Sequence, residues 1–398
     1  MSWREVLLGP TYIRHRRLIA ESKTWSQAQI QAYQSARLAP LLAKYGDNVK
    51  SKASYLKDPE RYQRASWPIL TRTIRTGGTT ASPFAFKMDT YSRRQKERAY
   101  IFDIWSEAGY RPFDTRVVFR GNIGGHLIRY NRLENAWQIS PAQLTRKTCP
   151  DVLSVLRRLG PFFLHVYPSS LFTLIEALGR SAFRSLQVCG VMAGSEAFPL
   201  KQMESFEGEY GIPVAHWYGH SEYATLAKFC HDCGGFHFYP TYGVTEFVQF
   251  DEKRFRIVAT SLNDIGTRFV RYDTGDLARP STIDCHRPFP RVDGIEGRVQ
   301  EFFLDRDGGR RAFGPYLFGI HNDFWDKISA IQVVQRKSGR LLIRVVSRRS
   351  EVRSWLEEYL RQRFAIVDLD FEYVKTIERT AAGKHRFFIS ELRHGPRE

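Results

Sequence analysis

An α/β protein, with a large N-terminal domain of mainly parallel sheets covered by helices and a small α+β C-terminal domain, is what three features of the sequence predict. Helical and strand-like patterns alternate over the first three quarters of the chain, as expected of parallel strands joined by helical crossovers. After Gly297 the texture changes to a compact run of strands around one helix. A length of 398 residues with 42% apolar content suffices for two buried cores, so residues 1–297 are expected to form the large domain and 298–398 the small one.

Thr90 to Ala108 has the period of a helix, and Thr115 to Arg120 reads as a strand. Pro141 to Leu159 is expected to be helical, because Ser140 can cap it and proline suits a first turn whose N–H groups lack helical partners. A short buried strand, Pro161 to Val166, leads into a helix at Pro168 to Leu178. The apolar run LQVCGVMAG (186–194) precedes a helix at Pro199 to Tyr210 and a strand at Val214 to Tyr218. Beyond Gly297, Ile328 to Arg336 and Leu341 to Ser347 read as strands, Glu351 to Phe364 as an amphipathic helix, and Asp370 to Thr376 as the final strand.

Composition narrows the class. A balance of 60 Lys+Arg against 42 Asp+Glu gives a net charge of +18, which raises the local concentration of anionic partners: nucleic acid, a phosphorylated cofactor, an acidic surface or a polyanionic glycan. The uncharged stretch from Gly160 to Ile175 contains His165, Pro161 and Pro168 and is too short to span a bilayer, so no membrane span is expected. The N-terminal apolar run is too short for a secretory signal, and a cytoplasmic location is expected. Five cysteines without regular spacing argue against a disulfide framework and for reduced thiols or a metal site.

The sharpest local signal is TGGTTASP, Thr76 to Pro83, preceded by Arg72 and Arg75. Adjacent glycines permit close backbone approach, so that amide and hydroxyl donors can converge on phosphate oxygens. The segment lacks the Gly-Lys-Ser/Thr ending of a Walker loop, and alone it also fits a plain surface turn.

It does not stand alone. TGGTTASP is followed by GSE (194–196), YGHSE (218–222), RYDTGD (271–276), EGR (296–298) and RTAAGK (379–384). In order and rough spacing these resemble the signatures of the adenylate-forming superfamily of acyl-CoA synthetases and adenylation domains. VYPSSLFTLIEAL (166–178) and PRVDGIEGR (290–298) resemble the phenylacetate-CoA ligase branch, especially its capsular polysaccharide biosynthesis (CapK-like) members. The resemblance spans about residue 60 to 392 and implies a mobile small domain after the Gly-Arg pair, where Gln300 and Glu301 replace the family's usual hinge residues.

The resemblance also implies roles. In making an acyl-AMP, a carboxylate oxygen attacks the α-phosphorus of ATP and pyrophosphate leaves, so phosphate charge must be held in line. Thr76, Gly77, Gly78, Thr79 and Thr80 would wrap the β and γ phosphates; Ser82 stands where the family often has lysine, and Arg75 or Arg72 could compensate. Glu222 would bind magnesium, a hard cation that takes oxygen ligands. Tyr218 and Gly219 would meet the adenine, with Gly194, Ser195 and Glu196 lining it, while Asp276 and Arg298 would hold the ribose. Lys384, on a loop after the final strand, would stabilise charge developing between carboxylate and α-phosphate. Phe119, Arg120, His126 and Trp217 are guesses for the acyl pocket.

A second constellation is Cys230, Cys233 and His237 in CHDCGGFH, with Cys285 downstream, four ligands of the kind tetrahedral zinc takes. Some phenylacetate-CoA ligase relatives carry cysteine and histidine at similar places, with a Cys-x-Cys pair of which this chain keeps Cys285 and replaces the other by Ile283. Reduced structural thiols are the alternative. Cys149 and Cys189 are expected in the core.

The expected function is an ATP-dependent ligase that activates a small carboxylic acid and passes the acyl or aryl group to coenzyme A or to an amine or hydroxyl acceptor, in polysaccharide or secondary-metabolite biosynthesis. Two other classes stay open: a basic nucleic-acid-binding protein, for which no fold signature is found, and a non-catalytic relative acting as a scaffold, which retention of Glu222, Asp276 and Lys384 disfavours. No nucleic-acid partner is therefore expected.

Overall fold

The computed structural model describes residues 3–63, 71–76, 84–119, 123, 126–140, 143–144, 147–262, 266–298, 302–317, 324–347, 353–378 and 385–392. The chain forms two compact units, Met1–Pro112 with Ala215–Arg298, and Phe113–Val214 with Val299–Glu398. A unit limit thus falls one residue beyond the expected boundary at 297, and the second unit also takes in Phe113–Val214.

The first unit opens with helices that the sequence reading left unassigned. Pro10–Ser22 starts with proline in its first turn, and Gln27–Tyr45 starts with a reciprocal cap in which the Gln29 N–H donates to Ser26 Oγ and the Ser26 N–H to Gln29 Oε1. Pro10–Ser22 packs along Ser92–Trp105, the helix expected at 90–108, with Arg16 and Lys23 reaching Asp103 Oδ1 at 3.3 and 2.7 Å. Burial would raise the Asp103 pKa, but Lys23, Lys228 and the Tyr239 hydroxyl together offset this and hold the carboxyl below its usual range. The strands of this unit pair antiparallel. Thr71–Thr76 and Phe84–Asp89 form a hairpin closed at Thr76 and Phe84. Val214–Gly219, Leu226–Cys230, Gly235–Phe238 and Arg291–Val292 form one run, and Gly243–Gln249, Phe255–Ser261, Tyr272–Arg279 and Gly294–Arg298 another. Tyr45, Tyr55, Tyr62, Phe86, Phe269 and Tyr272 pack into a largely aromatic core beside them.

The parallel ladders of the α/β class lie in the second unit. Val188–Gly194, Phe162–Val166, Arg116–Phe119 and Ala136–Ile139 run parallel in that order, with Ile128–Asn131 antiparallel at the edge. Helices Pro168–Leu178 and Leu200–Tyr210 fall where expected. The helix expected from Pro141 begins only at Cys149: Ser140 is a buried loop residue, and Pro150 supplies the first-turn proline of Cys149–Arg158. The C-terminal part is a four-stranded sheet ordered Asp368–Tyr373, Arg340–Ser347, Ile328–Lys337, Phe388–Ser390, with Leu356 and Leu360 of helix Arg353–Arg363 in its core. Asp368–Tyr373 is therefore not the final strand. Phe388–Ser390 follows and pairs parallel with Ile328–Lys337, too short to show a period in the sequence. Among the described residues no helix is long and apolar enough to cross a membrane.

Candidate active site

Asp276 is positioned by a bulge. Val258 pairs with Asp273 and Arg256 with Leu277, so residues 274–276 together face Ile257. The bulge is bonded within itself: Asp273 Oδ1 accepts from the Gly275 N–H at 2.9 Å, and Thr274 Oγ1 accepts from the Asp276 N–H at 3.2 Å while donating to the Ile257 carbonyl at 2.9 Å. Gly275 has φ +77°, a conformation that favours glycine. Asp276 ends up buried, and its Oδ2 accepts from the Tyr218 hydroxyl at 2.6 Å. Burial, and then the Asp276 carboxylate, push the Tyr218 phenol well above its usual range, so it remains a proton donor. Strand register sets Arg298 opposite Asp276; the Arg298 side chain lies outside the described residues.

The same motifs meet again at Glu222, which is nearly buried. Its Oε2 lies 2.9 Å from His220 Nδ1, and its Oε1 accepts from the Tyr272 hydroxyl at 3.2 Å. RYDTGD and YGHSE are thus joined twice, by Tyr218 to Asp276 and by Tyr272 to Glu222. His220 Nε2 is buried and has no hydrogen-bond partner among the described residues. The close approach is built in: a Cβ on Gly243 would stand 1.9 Å from the Ala224 carbonyl oxygen. Five non-glycine residues have positive φ among those described, and three lie in or beside the motifs: Ser195 (φ 69°), Tyr223 (φ 55°) and Arg271 (φ 45°). Such strain concentrates where surrounding structure must hold a functional geometry.

Two neighbours had no sequence signal. Glu97, on Ser92–Trp105, accepts from the Tyr242 hydroxyl at 2.6 Å, and burial raises its pKa against the opposing pull of that bond and of Arg93, Lys96 and His220. The Arg93 guanidinium lies 3.9 Å from the centre of the Tyr223 ring. Neither residue belongs to a motif, and only the helical period around them was legible.

In the second unit, Gly194 ends the strand Val188–Gly194 and Ser195 turns the chain, so that Glu196 Oε1 accepts from the backbone N–H of His385 at 2.5 Å. His385 Nε2 lies 2.8 Å from the Ile331 carbonyl oxygen. Lys384 itself lies outside the described residues, as do Gly77, Gly78, Thr79, Thr80, Ser82, Arg120, Gln300, Glu301 and the side chains of Arg75 and Thr76. Of the acyl-pocket guesses, Phe119 is fully buried, Trp217 packs beside Trp105 with ring centres 6.2 Å apart, and His126 is exposed.

Cys230, Cys233, His237 and Cys285 do come together. Their four candidate ligand atoms all lie within 4.8 Å of one another, with Cys233 Sγ 3.2 Å from His237 Nε2. The antiparallel pairing of Leu226–Cys230 with Gly235–Phe238 brings Cys230 and His237 close, and the tight turn between them carries Cys233. Burial, with Arg287, Arg291 and Lys228 nearby, pushes the His237 pKa down to about 4, leaving a neutral imidazole. Three thiol sulfurs and a neutral imidazole form a donor set that suits zinc. The other two cysteines correct the sequence reading: Cys189 is exposed and Cys149 half-buried, each at the start of its element where the chain is less covered.

Solved structures give this arrangement its context. A 2-hydroxyisobutyryl-CoA ligase in the postadenylation state with R3-HIB-AMP matches with a TM-score of 0.63 at 15% identity, over 96% of this chain and 89% of that one. The anthranilate CoA ligase AuaEII in complex with anthranoyl-AMP matches with a TM-score of 0.52 at 13% identity, over 78% of this chain and 65% of that one. The chain has the fold of the adenylate-forming ligases. In sequence it is 21% identical to Protein CapK of Staphylococcus aureus over 341 residues, 80% of this chain and 74% of CapK. No protein-family model matches the chain.

Proposed function

We propose that the chain is an ATP-dependent, AMP-forming ligase that activates a small carboxylic acid as its acyl- or aryl-adenylate and transfers the acyl group to an acceptor. The observation that carries this reading is the double junction of RYDTGD with YGHSE, in a fold whose solved examples hold AMP esters. Asp276 would accept from the ribose hydroxyls, with Tyr218 holding its carboxylate in place and offering a ring face to adenine. Gly219 would let the base approach, and Gly194, Ser195, Glu196 and Arg298 would complete nucleotide recognition. Residues 76–80 would take the outer phosphates.

Glu222 fits a magnesium ion: it is a hard oxygen donor whose orientation is fixed from both sides by His220 and Tyr272. When bound, magnesium neutralises phosphate charge. With His220 Nδ1 donating to Glu222, the buried Nε2, without a partner among the described residues, would accept a hydrogen bond in the neutral ring and donate to an anionic oxygen in the imidazolium. Lys384 would stabilise the transition state of adenylation, a role supported by the bond that fixes the next residue, His385, to Glu196 of GSE. The chain from residue 298 would then act as the small domain that carries this lysine.

Coenzyme A is the acceptor that the solved CoA ligases suggest, while the likeness to CapK suggests an amine or hydroxyl acceptor in polysaccharide or secondary-metabolite biosynthesis. Carboxylate-dependent pyrophosphate release, measured over aryl, acyl, hydroxy and amino acids, tests the first half reaction. Release with none of them by protein that binds ATP would overturn the reading. Lys384→Ala is expected to stop adenylate formation and spare transfer from supplied acyl-AMP. The Cys/His cluster would hold a structural zinc, since four protein ligands leave no open position for chemistry.

A further inference from the structure

Within the first unit, a cavity of about 970 Å³ is lined by the helices Pro10–Ser22, Gln27–Tyr45 and Ser92–Trp105, by Asp89 at the end of Phe84–Asp89, and by Thr241, Leu262 and Arg268. Its size lies at the upper end of the range for small-molecule sites, roughly 300–1,000 Å³. Tyr218, Glu222 and Asp276 do not line it. Six cationic side chains do: Arg14, Arg17, Arg37, Arg93, Lys96 and Arg268.

Two carboxylates also line the cavity, and one of them is engaged in holding the fold. Asp89 binds the Ser92 hydroxyl and accepts from the backbone N–H groups of Tyr91 and Arg93 at 2.9 and 3.1 Å, fixing the start of Ser92–Trp105. Glu21 is exposed on the outer helix. Arg14 and Arg17, three residues apart on one helical face, make no ion pair among the described residues. Arg37 lies 3.5 Å from the centre of the Tyr33 ring, and Lys96 donates to the Tyr242 carbonyl at 2.9 Å, so both cations are held in fixed positions. A single carboxylate would need one or two such groups. Arginines converging from several segments suit a ligand with several phosphate oxygens, to which each guanidinium can bond through two N–H groups at once.

We propose that this cavity, lined without Tyr218, Glu222 or Asp276 and adjoining the candidate active site at Arg93, is a second binding site for a nucleotide-linked diphosphate ligand. Its identity as the acyl acceptor rests on the ligase reading above; its affinity for the diphosphate does not. Coenzyme A and a nucleotide sugar share this chemistry and differ in what they would offer as nucleophile.

The test is equilibrium binding of coenzyme A and of UDP-glucose by calorimetry, with saturating AMP and without it, to the full chain and to the variants Arg14→Glu/Arg17→Glu and Arg14→Gln/Arg17→Gln. Thermal unfolding confirms that the variants fold, both positions being exposed. At least one probe is expected to bind in the presence of AMP, to weaken on the order of tenfold or more in the Gln pair and further in the Glu pair, and to weaken with added salt. Binding of coenzyme A supports a thiol acceptor, and binding of UDP-glucose alone a sugar acceptor. Binding of neither, abolition by AMP, equal affinity in folded variants, or tighter binding of a single-stranded oligonucleotide would overturn the proposal. If a probe binds as expected but no carboxylate yields pyrophosphate, the ligase reading falls and the site stands.

Discussion

Two clusters of buried polar groups in the first unit, Cys230–Cys233–His237–Cys285 and Tyr218–His220–Glu222–Tyr272–Asp276, are built in opposite ways. Three members of the first sit on a regular antiparallel hairpin, Cys285 reaches them from a later loop, and the four ligand atoms lie within 4.8 Å of one another. The second hangs on a three-residue bulge beside two residues at positive φ; each cluster keeps one buried histidine nitrogen without a partner among the described residues, Nδ1 of His237 and Nε2 of His220. A closed donor set without local strain suits a structural ion, which stabilises the fold it joins. A set held on strained backbone is less stable than it could be and gains only when a ligand arrives. Altering the first should therefore cost stability, and altering the second should cost activity.

The largest expected effect is at Glu222. Glu222→Gln keeps the shape, and one of its two partners, His220 or Tyr272, must switch to accepting from the new NH2, but it removes the charge that would face a magnesium ion, so carboxylate-dependent pyrophosphate release should drop by about 100-fold or more. The melting temperature should change little. Near-normal release would remove Glu222 from the chemistry, and an unfolded protein would make the second cluster as structural as the first.

Cys233→Ser should do the reverse. Purified protein is expected to hold about one zinc per chain, and the variant to lose it, with the melting temperature falling by roughly 5–15 °C. Pyrophosphate release per folded molecule should stay close to that of the parent. Acid sharpens the point in metal-stripped protein. The folded pKa of His237, about 4, lies below the ordinary value of 6.5 that it regains on unfolding, so between these values the unfolded chain binds the extra proton. Stability contributed by the neutral imidazole is present above pH 6.5 and is lost as pH falls from there toward about 4. A denaturant midpoint that stays flat from pH 7 to pH 4 would contradict the buried, neutral assignment.

A smaller effect is expected from Tyr218→Phe. The ring remains to face adenine while the donor to Asp276 is lost, and a hydrogen bond to a charged group is worth about 1.5–3 kcal/mol. The KM for ATP should rise roughly tenfold or more, with kcat much less altered. A fall in kcat at unchanged KM would place the hydroxyl in the chemical step instead.

How legible each cluster was follows from its construction. Cys-x2-Cys-x3-His is compact because a hairpin turn forces those residues together, so spacing alone pointed to three ligands, and the fourth needed only a cysteine in reach. The second cluster was legible as motifs but not as geometry. No periodicity shows that Tyr218 bonds Asp276 or that Tyr272 bonds Glu222, since these pairs are 58 and 50 residues apart and meet through sheet pairing. Of the parallel strands from Arg116 to Gly194, Arg116–Phe119, Phe162–Val166 and Val188–Gly194 were readable from their apolar runs, while Ala136–Ile139, only four residues long, was missed. The first 62 residues were left unassigned because their helices present few apolar positions, with Tyr12, Ile19 and Ile30 among the few buried side chains. Glu97 and Arg93 lie on Ser92–Trp105, a helix whose period was legible, but no spacing marks either residue.

The smallest expected effect separates the five thiols. Cys189 is exposed on Val188–Gly194, with its Sγ 3.9 Å from the Gln187 carbonyl, and Cys149 is half-buried with its Sγ 3.0 Å from the Ala177 carbonyl. Burial, and then Asp114, still raise the Cys189 thiol, so at neutral pH it is mostly protonated and should react with a disulfide reagent slowly but measurably. Native protein should therefore yield about two accessible thiols of the five, and a chelator should release the other three. Cys189→Ser should remove one of the two accessible equivalents, shift stability by no more than about 0.5 kcal/mol, and leave pyrophosphate release unchanged. If all five thiols react together before any chelator is added, the cluster holds no metal, and the stability assigned to it must come from packing alone.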